Sequence, residues 1–151
     1  MIAPYEQLDR RLDELRPLAL KAARPSRGWM RAIRDALGMT TSQLAKRIGV
    51  TQPRIIEMEK GEVSGAITLA NLERAAEAMD CHVVYLFVPR RPLTDTIRAR
   101  AQDLAEQQLS AIEQTMQLEN QAVGDKLRRN EALTDIVNEL LRRPARLWDV
   151  L

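Results

Sequence analysis

Cys81 and His82 are the chain's one cysteine and one histidine, and they are adjacent. Thiol and imidazole chemistry needs two side chains converging on one point, whereas neighbours on a strand point to opposite faces. Two such groups also fall short of a metal ion's ligand set. A small core residue beside a polar one is the expected role of the pair. The six glycines are scattered singly, so no phosphate-cradling loop is present, and no nucleophile–base pair stands out. The expectation is a non-enzyme with no metal and no cofactor.

Charge is more informative. Residues 24–54 carry seven basic groups (Arg24, Arg27, Arg31, Arg34, Lys46, Arg47, Arg54) against one acid, Asp35, while residues 93–151 carry eight basic and ten acidic groups. The overall charge of +2 therefore hides a basic window suited to a polyanion and a second half suited to something else. The hydrophobic fraction is 45% and the aromatic fraction 3%, so the core must be built from Leu, Ile, Val, Met and Ala, which favours helices. The opening MIAPYEQLDRRL lacks an apolar signal core, and no stretch approaches a membrane span, which predicts a cytoplasmic protein.

The elements that must position these charges follow from apolar spacing. Leu8, Leu12, Leu15, Ala19 and Ala22 mark one face of an N-terminal helix, kinked or interrupted at Pro17. After the linker ARPSRG, a helix carries Trp29, Ile33, Ala36 and Leu37 up to Gly38. Three more are predicted over Thr41–Ile48, Gln52–Lys60 and Leu69–Met79, the last capped by Thr68. HVVYLFVP, β-branched and aromatic and closed by Pro89, is the one credible strand. Beyond PRRPL, Thr94 is expected to cap a long helix striped by Ile97, Ala101, Leu104, Leu109, Ile112 and Met116. Gly124 breaks it, and a last helix carries Leu133, Ile136, Val137, Leu140 and Leu141 up to Pro144. This divides the chain into an N-terminal arm (1–25), a basic helical domain with one strand (26–92) and a second helical region (93–151).

TTSQLAKRIGVTQPRIIEMEKGE holds the sharpest pattern. Thr40 and Gln43 make a capping box at the start of one helix. Gly49 ends that helix where a left-handed conformation is needed, and Thr51 caps the next with Pro53 in its first turn. Leu44, Ile48, Val50, Ile55 and Met58 are spaced to lock the two helices across a tight turn, and Ala45 is small where they cross. This is a helix-turn-helix.

Residues 29–79 resemble the Xre/phage-repressor family through Gln43-Leu44-Ala45, Gly49-Val50, Gln52, Ile55 and Glu59-Lys60-Gly61. The resemblance implies a mainly α fold, a five-helix repressor-type domain whose third helix enters the major groove of DNA. Thr51, Gln52, Arg54 and Glu57 are then the base-facing set: Gln52 for adenine, Arg54 for guanine or a phosphate, Glu57 for a cytosine amino group. Thr41, Ser42 and Lys60, with Ser64 and Thr68 as weaker candidates, are the implied phosphate contacts. Ile56 and Glu57 depart from the polar or basic residues usual there, which leaves the base sequence open. Arg31 and Arg34 are read either as backbone contacts or as a solvated helix face. Relatives generally act as dimers on two half-sites. Val83, Val84, Tyr85, Leu86 and Phe87, a strand without a partner in its own chain, would pair with its copy in a two-stranded intersubunit sheet, as in the family's antitoxin branch.

The C-terminal region contains TMQLEN at 115–120, which fits [Ser/Thr]-x-x-x-Glu-[Gly/Asn], the inhibitory helix motif associated with Fic-type AMP transferases. The resemblance makes Thr115, Glu119 and Asn120 the motif residues, with Glu119 a carboxylate plug on the arginine that should hold the nucleotide's terminal phosphate. RPSRGWMRAIRDALGMT, ITLANLERAAEAMDCHVVYLFVP and the closing RLWD extend the likeness to the mobile mystery protein A family, whose members are encoded beside a Fic-domain partner, mobile mystery protein B. What this implies is an antitoxin and autorepressor that binds operator DNA as a homodimer and restrains a Fic-domain protein. Two other readings stay open: a stand-alone repressor whose C-terminal helices only oligomerise, and the antitoxin of a kinase-like toxin, which needs no inhibitory glutamate.

Overall fold

The structure, a computed structural model, describes residues 1–118 and 126–149. Among them are seven α-helices: α1 (Pro4–Lys21), α2 (Trp29–Ala36), α3 (Thr41–Ile48), α4 (Gln52–Ser64), α5 (Leu69–Ala78), α6 (Leu93–Leu118) and α7 (Lys126–Arg142), followed by a 3-10 turn at Pro144–Trp148. The mainly helical fold expected from composition is observed. No helix among the described residues is long and apolar enough to cross a membrane.

The chain separates into two compact units, Arg16–Phe87 and Met1–Leu15 with Val88–Leu151. α1 runs unbroken through Pro17, and the boundary between the two units falls within it, inside the expected arm of 1–25. In the first unit α2 to α5 close around Met30, Leu44, Ala45, Ile55, Met58, Ala75 and Met79, with Ile33, Ile48, Val50 and Ile67 packed against them. Leu44 and Ile55, one from each helix of the predicted pair, are fully buried.

In the second unit α6 and α7 form a hairpin, filled by Ala101, Leu104 and Leu147 with Ile97, Val137, Leu140 and Leu141 against them. Arg129 of α7 donates to Glu113 Oε1 and Glu106 Oε2 of α6, both at 2.9 Å. These glutamates lie seven residues apart, two turns along one face. Their hydrogen bonds and charges raise the Arg129 pKa above its ordinary value, the Glu106 bond contributing most. Arg100 Nε donates to the Leu147 carbonyl at 2.8 Å, holding the 3-10 turn.

The cap of α6 differs from expectation. Thr94 lies inside the helix, and the capping oxygen comes from Asp9, which accepts from the Leu93 and Thr94 amides at 2.7 and 2.8 Å and from the Thr94 hydroxyl at 2.8 Å. A carboxylate satisfies two orphan amides and meets the positive end of the helix dipole, which a hydroxyl does less well. The strand expected over HVVYLFVP also does not form within the single chain. Residues 81–89 have no regular secondary structure, since no second strand edge stands among the described residues for them to pair with. Gly124, Glu119 and Asn120 lie outside the described residues.

Asp9→Ala leaves both amides of α6 unsatisfied. It should destabilise the Met1–Leu15/Val88–Leu151 unit by about 1–2 kcal/mol, read as a lower urea midpoint and faster hydrogen exchange at Leu93 and Thr94. Unchanged exchange there would remove Asp9 from the cap.

Candidate nucleic-acid interface

The predicted capping box is present: Thr40 Oγ1 accepts from the Gln43 amide at 3.1 Å, and Gln43 Oε1 accepts from the Thr40 amide at 2.8 Å. Gly49 closes α3 with φ 83°, a conformation that would strain any L side chain, and its N–H returns to the Ala45 carbonyl. The chain then passes Val50 and enters α4 at Gln52, with Thr51 extended at the N-cap and Pro53 in the first turn. α4 runs past Lys60 to Ser64 and ends at Gly65, one turn longer than the pattern predicted. Gly61 allows that extra turn to lie close to Ile67, whose N would stand 3.3 Å from a Cβ placed there.

α4 has two faces. Ile55, Met58, Glu59 and Glu62 are buried, whereas Thr51, Gln52, Arg54, Ile56, Glu57 and Lys60 are exposed. The residues expected to read base edges therefore share the open face at the helix N-terminus. Two of them are already ordered by neighbours. Gln52 Nε2 donates to Thr41 Oγ1 at 2.9 Å, which joins the first turns of α4 and α3. Arg54 Nη1 donates to Glu57 Oε2 at 2.8 Å, one turn along the same helix. Ser42 is exposed and Thr41 half-buried at the start of α3. Of the weaker candidates, Ser64 is exposed at the far end of α4, and Thr68 Oγ1 caps α5 by accepting from the Asn71 amide at 3.2 Å.

Behind this face lies a layer that the sequence reading missed. Arg34, expected either on DNA or in solvent, is buried. Its Nε and Nη2 reach Glu59 Oε1 and Oε2 at 2.5 and 3.3 Å, and its Nη1 donates to the Met39 carbonyl at 2.9 Å. The bond to Glu59 raises the arginine's pKa despite its burial, so the cation is retained. Arg31 sits on the outer side of α2, 3.6 Å from Asp35. Glu62, one turn beyond Glu59, turns its carboxylate to the start of α2 and accepts from the Trp29 and Met30 amides at 2.5 and 2.8 Å. Gly28 precedes them with φ 89°, and a Cβ there would stand 2.8 Å from the Glu62 carboxyl carbon, so glycine is required by conformation and by space. The only signal available in sequence was the spacing of Glu59 and Glu62 on the helix's apolar side, where an acid is out of place unless paired.

Two short helices across a left-handed glycine, with a polar N-terminal face on the second, define a helix-turn-helix domain. The helix-turn-helix family profile matches residues 30–86. An uncharacterized HTH-type transcriptional regulator of Methanothermobacter thermautotrophicus is 40% identical over 60 residues, covering 39% of this chain and 84% of that protein. No solved structure matches. The chain belongs to the helix-turn-helix family.

Removing one partner of the buried pair strands the other. Glu59→Ala should destabilise the Arg16–Phe87 unit by about 3–5 kcal/mol, whereas the apolar double substitution Arg34→Met/Glu59→Leu should recover most of that loss. Thermal unfolding of the two variants beside wild type checks both, and equal losses would show that the stranded charge is not what makes Glu59→Ala costly.

Proposed function

We propose that this chain is a DNA-binding transcriptional regulator that sits on its operator as a homodimer, with α4 in the major groove. The observation that carries this reading is the open face at the α4 N-terminus, where Gln52 and Arg54 stand exposed on a backing buried and hydrogen-bonded to α2. Side chains held in place before contact lose less entropy on binding, and a bidentate amide or guanidinium contact discriminates a base by roughly 1–3 kcal/mol. Thr41, Ser42 and Lys60 flank this face as phosphate contacts, and the free amides at the start of α3 add a positive dipole end. Ser64 and Thr68 would reach the backbone farther along.

The C-terminal unit is proposed to restrain a Fic-type AMP transferase, making the chain an antitoxin that represses its own gene. Support comes from the TMQLEN motif and from the exposed flank that leads to it. Ile112 is 51% exposed, and Thr115 is exposed with its hydroxyl donating to the Ala111 carbonyl at 3.0 Å. A helix with an open apolar residue near its end, followed in sequence by a glutamate, suits insertion beside an arginine-lined nucleotide site.

Fluorescence anisotropy on the chain's own upstream duplex and on a scrambled one separates these roles. The logarithm of affinity should fall with log salt at about −0.9 per phosphate neutralised. Gln52→Ala should abolish the preference for the upstream duplex, and Lys60→Ala should weaken both duplexes alike and lower the slope by about one. A salt-independent signal would end the DNA reading. Glu119→Gly should release AMP-transferase activity in the co-expressed Fic-domain protein while operator binding stays unchanged. Continued silence of that enzyme would reduce the C-terminal unit to an oligomerisation element.

A further inference from the structure

The open face of α4 carries two side chains that hydrogen-bonded base reading does not use. In the first two turns the exposed residues are Gln52, Pro53, Arg54, Ile56 and Glu57, and Pro53 and Ile56 are apolar. Ile56 is 41% exposed and lies outside the core that its neighbours Ile55 and Met58 enter. At about 3.6 residues per turn, Ile56 and Pro53 fall between Gln52 on one flank and Arg54 with Glu57 on the other. Each polar flank is tied to a partner of its own. Gln52 Nε2 donates to Thr41 Oγ1 at 2.9 Å, and Arg54 Nη1 donates to Glu57 Oε2 at 2.8 Å. An apolar strip is left between them.

We infer that this strip reads the C5-methyl group of a thymine, with Ile56 as the contact and Pro53 as the wall beside it. The inference rests on the DNA reading proposed above and gives one residue of that face a particular base edge. Ile56 stands where polar or basic residues are usual, so the general docking of such a helix does not supply the assignment.

The chemistry of the major groove selects the partner. The edges of adenine, guanine and cytosine are distinguished there by hydrogen-bond donors and acceptors, and thymine alone adds a methyl group. Ile56 set against any of the other three would strip water from polar atoms and return no hydrogen bond. Set against thymine, it buries apolar surface on both partners. Gln52 and Ile56 are four residues apart on α4, which puts their Cβ atoms about 5–6 Å from each other. Successive nucleotides rise about 3.4 Å, so the thymine lies about one or two base steps from the pair that Gln52 reads.

The strip is also stiff before it meets DNA. A β-branched side chain keeps essentially one χ1 rotamer in a helix, and the proline ring is fixed to its own backbone. Ordering such groups at an interface costs little entropy.

Fluorescence anisotropy of the full chain tests this on its upstream duplex, prepared either with thymine or with deoxyuridine at every thymine position. Deoxyuridine keeps thymine's hydrogen-bonding groups and its adenine partner and removes only the methyl. Burial of one methyl is worth about fourfold in affinity, so one contact in each of two half-sites should weaken wild-type binding to the deoxyuridine duplex about fifteenfold. Ile56→Ala should bind the thymine duplex more weakly by a similar factor and should no longer distinguish the two duplexes. Ile56→Val should keep most of the distinction. Position 56 is exposed and alanine is the stronger helix former, so the substitution does not threaten α4. An equal deoxyuridine penalty in wild type and Ile56→Ala would show that the methyl acts through DNA shape or another side chain, and would overturn the inference. A wild type indifferent to deoxyuridine, yet still preferring the upstream duplex to a scrambled one, would overturn it while the DNA reading stands. A wild type with no upstream preference would overturn both.

Discussion

Two carboxylates on the inner face of α4 hold the DNA-reading unit together. Glu59 grips Arg34 in the middle of α2, and Glu62 grips the amides at its start, so one helix is clamped to the other at two points a turn apart. Both acids are buried, and each is satisfied by more than one donor. That condition decides whether a buried charge stabilises or ruptures a core. Arg34 also reaches the Met39 carbonyl in the turn between α2 and α3, so the same pair fixes the entry to α3. Everything on the open side of α4 depends on this backing. A recognition face is useful only if its side chains arrive at base edges without the helix shifting beneath them, and α4 is short enough to need external restraint.

The other unit uses the same economy with different residues. Asp9 caps α6 from 84 positions away in sequence, and Arg129 bridges two glutamates of α6 from α7. In each case a charged group meets a helix terminus or an opposite charge contributed by a distant element. A chain with only 3% aromatic residues has few large apolar contacts to specify how its helices meet. Directional polar contacts supply the specificity that aromatic packing supplies elsewhere. Part of the remaining apolar surface gathers where the chain is least regular, in the run from Val84 to Phe87 and on Trp29 and Leu69, which line one groove with it. Monomeric surfaces seldom gather so many large apolar groups in one place.

Much of the helix-turn-helix was legible from sequence alone, because its signals are local. Thr40 and Gln43, Gly49, Thr51, Pro53 and Thr68 act through hydrogen bonds or dihedral preferences within four residues, so their meaning does not depend on the rest of the fold. The bounds of α3 and the starts of α4 and α5 came from these. The apolar spacing of Leu44, Ile48, Ile55 and Met58 was equally local, as was the division of α4 into a buried and an open face. Where local signals conflicted with distant partners, the distant partners won. Thr94 looked like a cap and was displaced by Asp9. Arg34 looked like a surface cation and was buried against Glu59.

The sequence by itself therefore determined the helices, their order, the turn between α3 and α4 and which residues stand at the α4 N-terminus. Short-range geometry and the 3.6-residue period leave little else open there. Only the tertiary structure decided which charged residues are scaffold and which are free: the long-range pairs Arg34–Glu59, Glu62 with the α2 amides, and Asp9 with α6. It also decided that HVVYLFVP stays unpaired within one chain. The physical reason is common to these cases. A charge or a strand edge is neutral in meaning until its partner is known, and the partner lies tens of residues away or is not among the described residues.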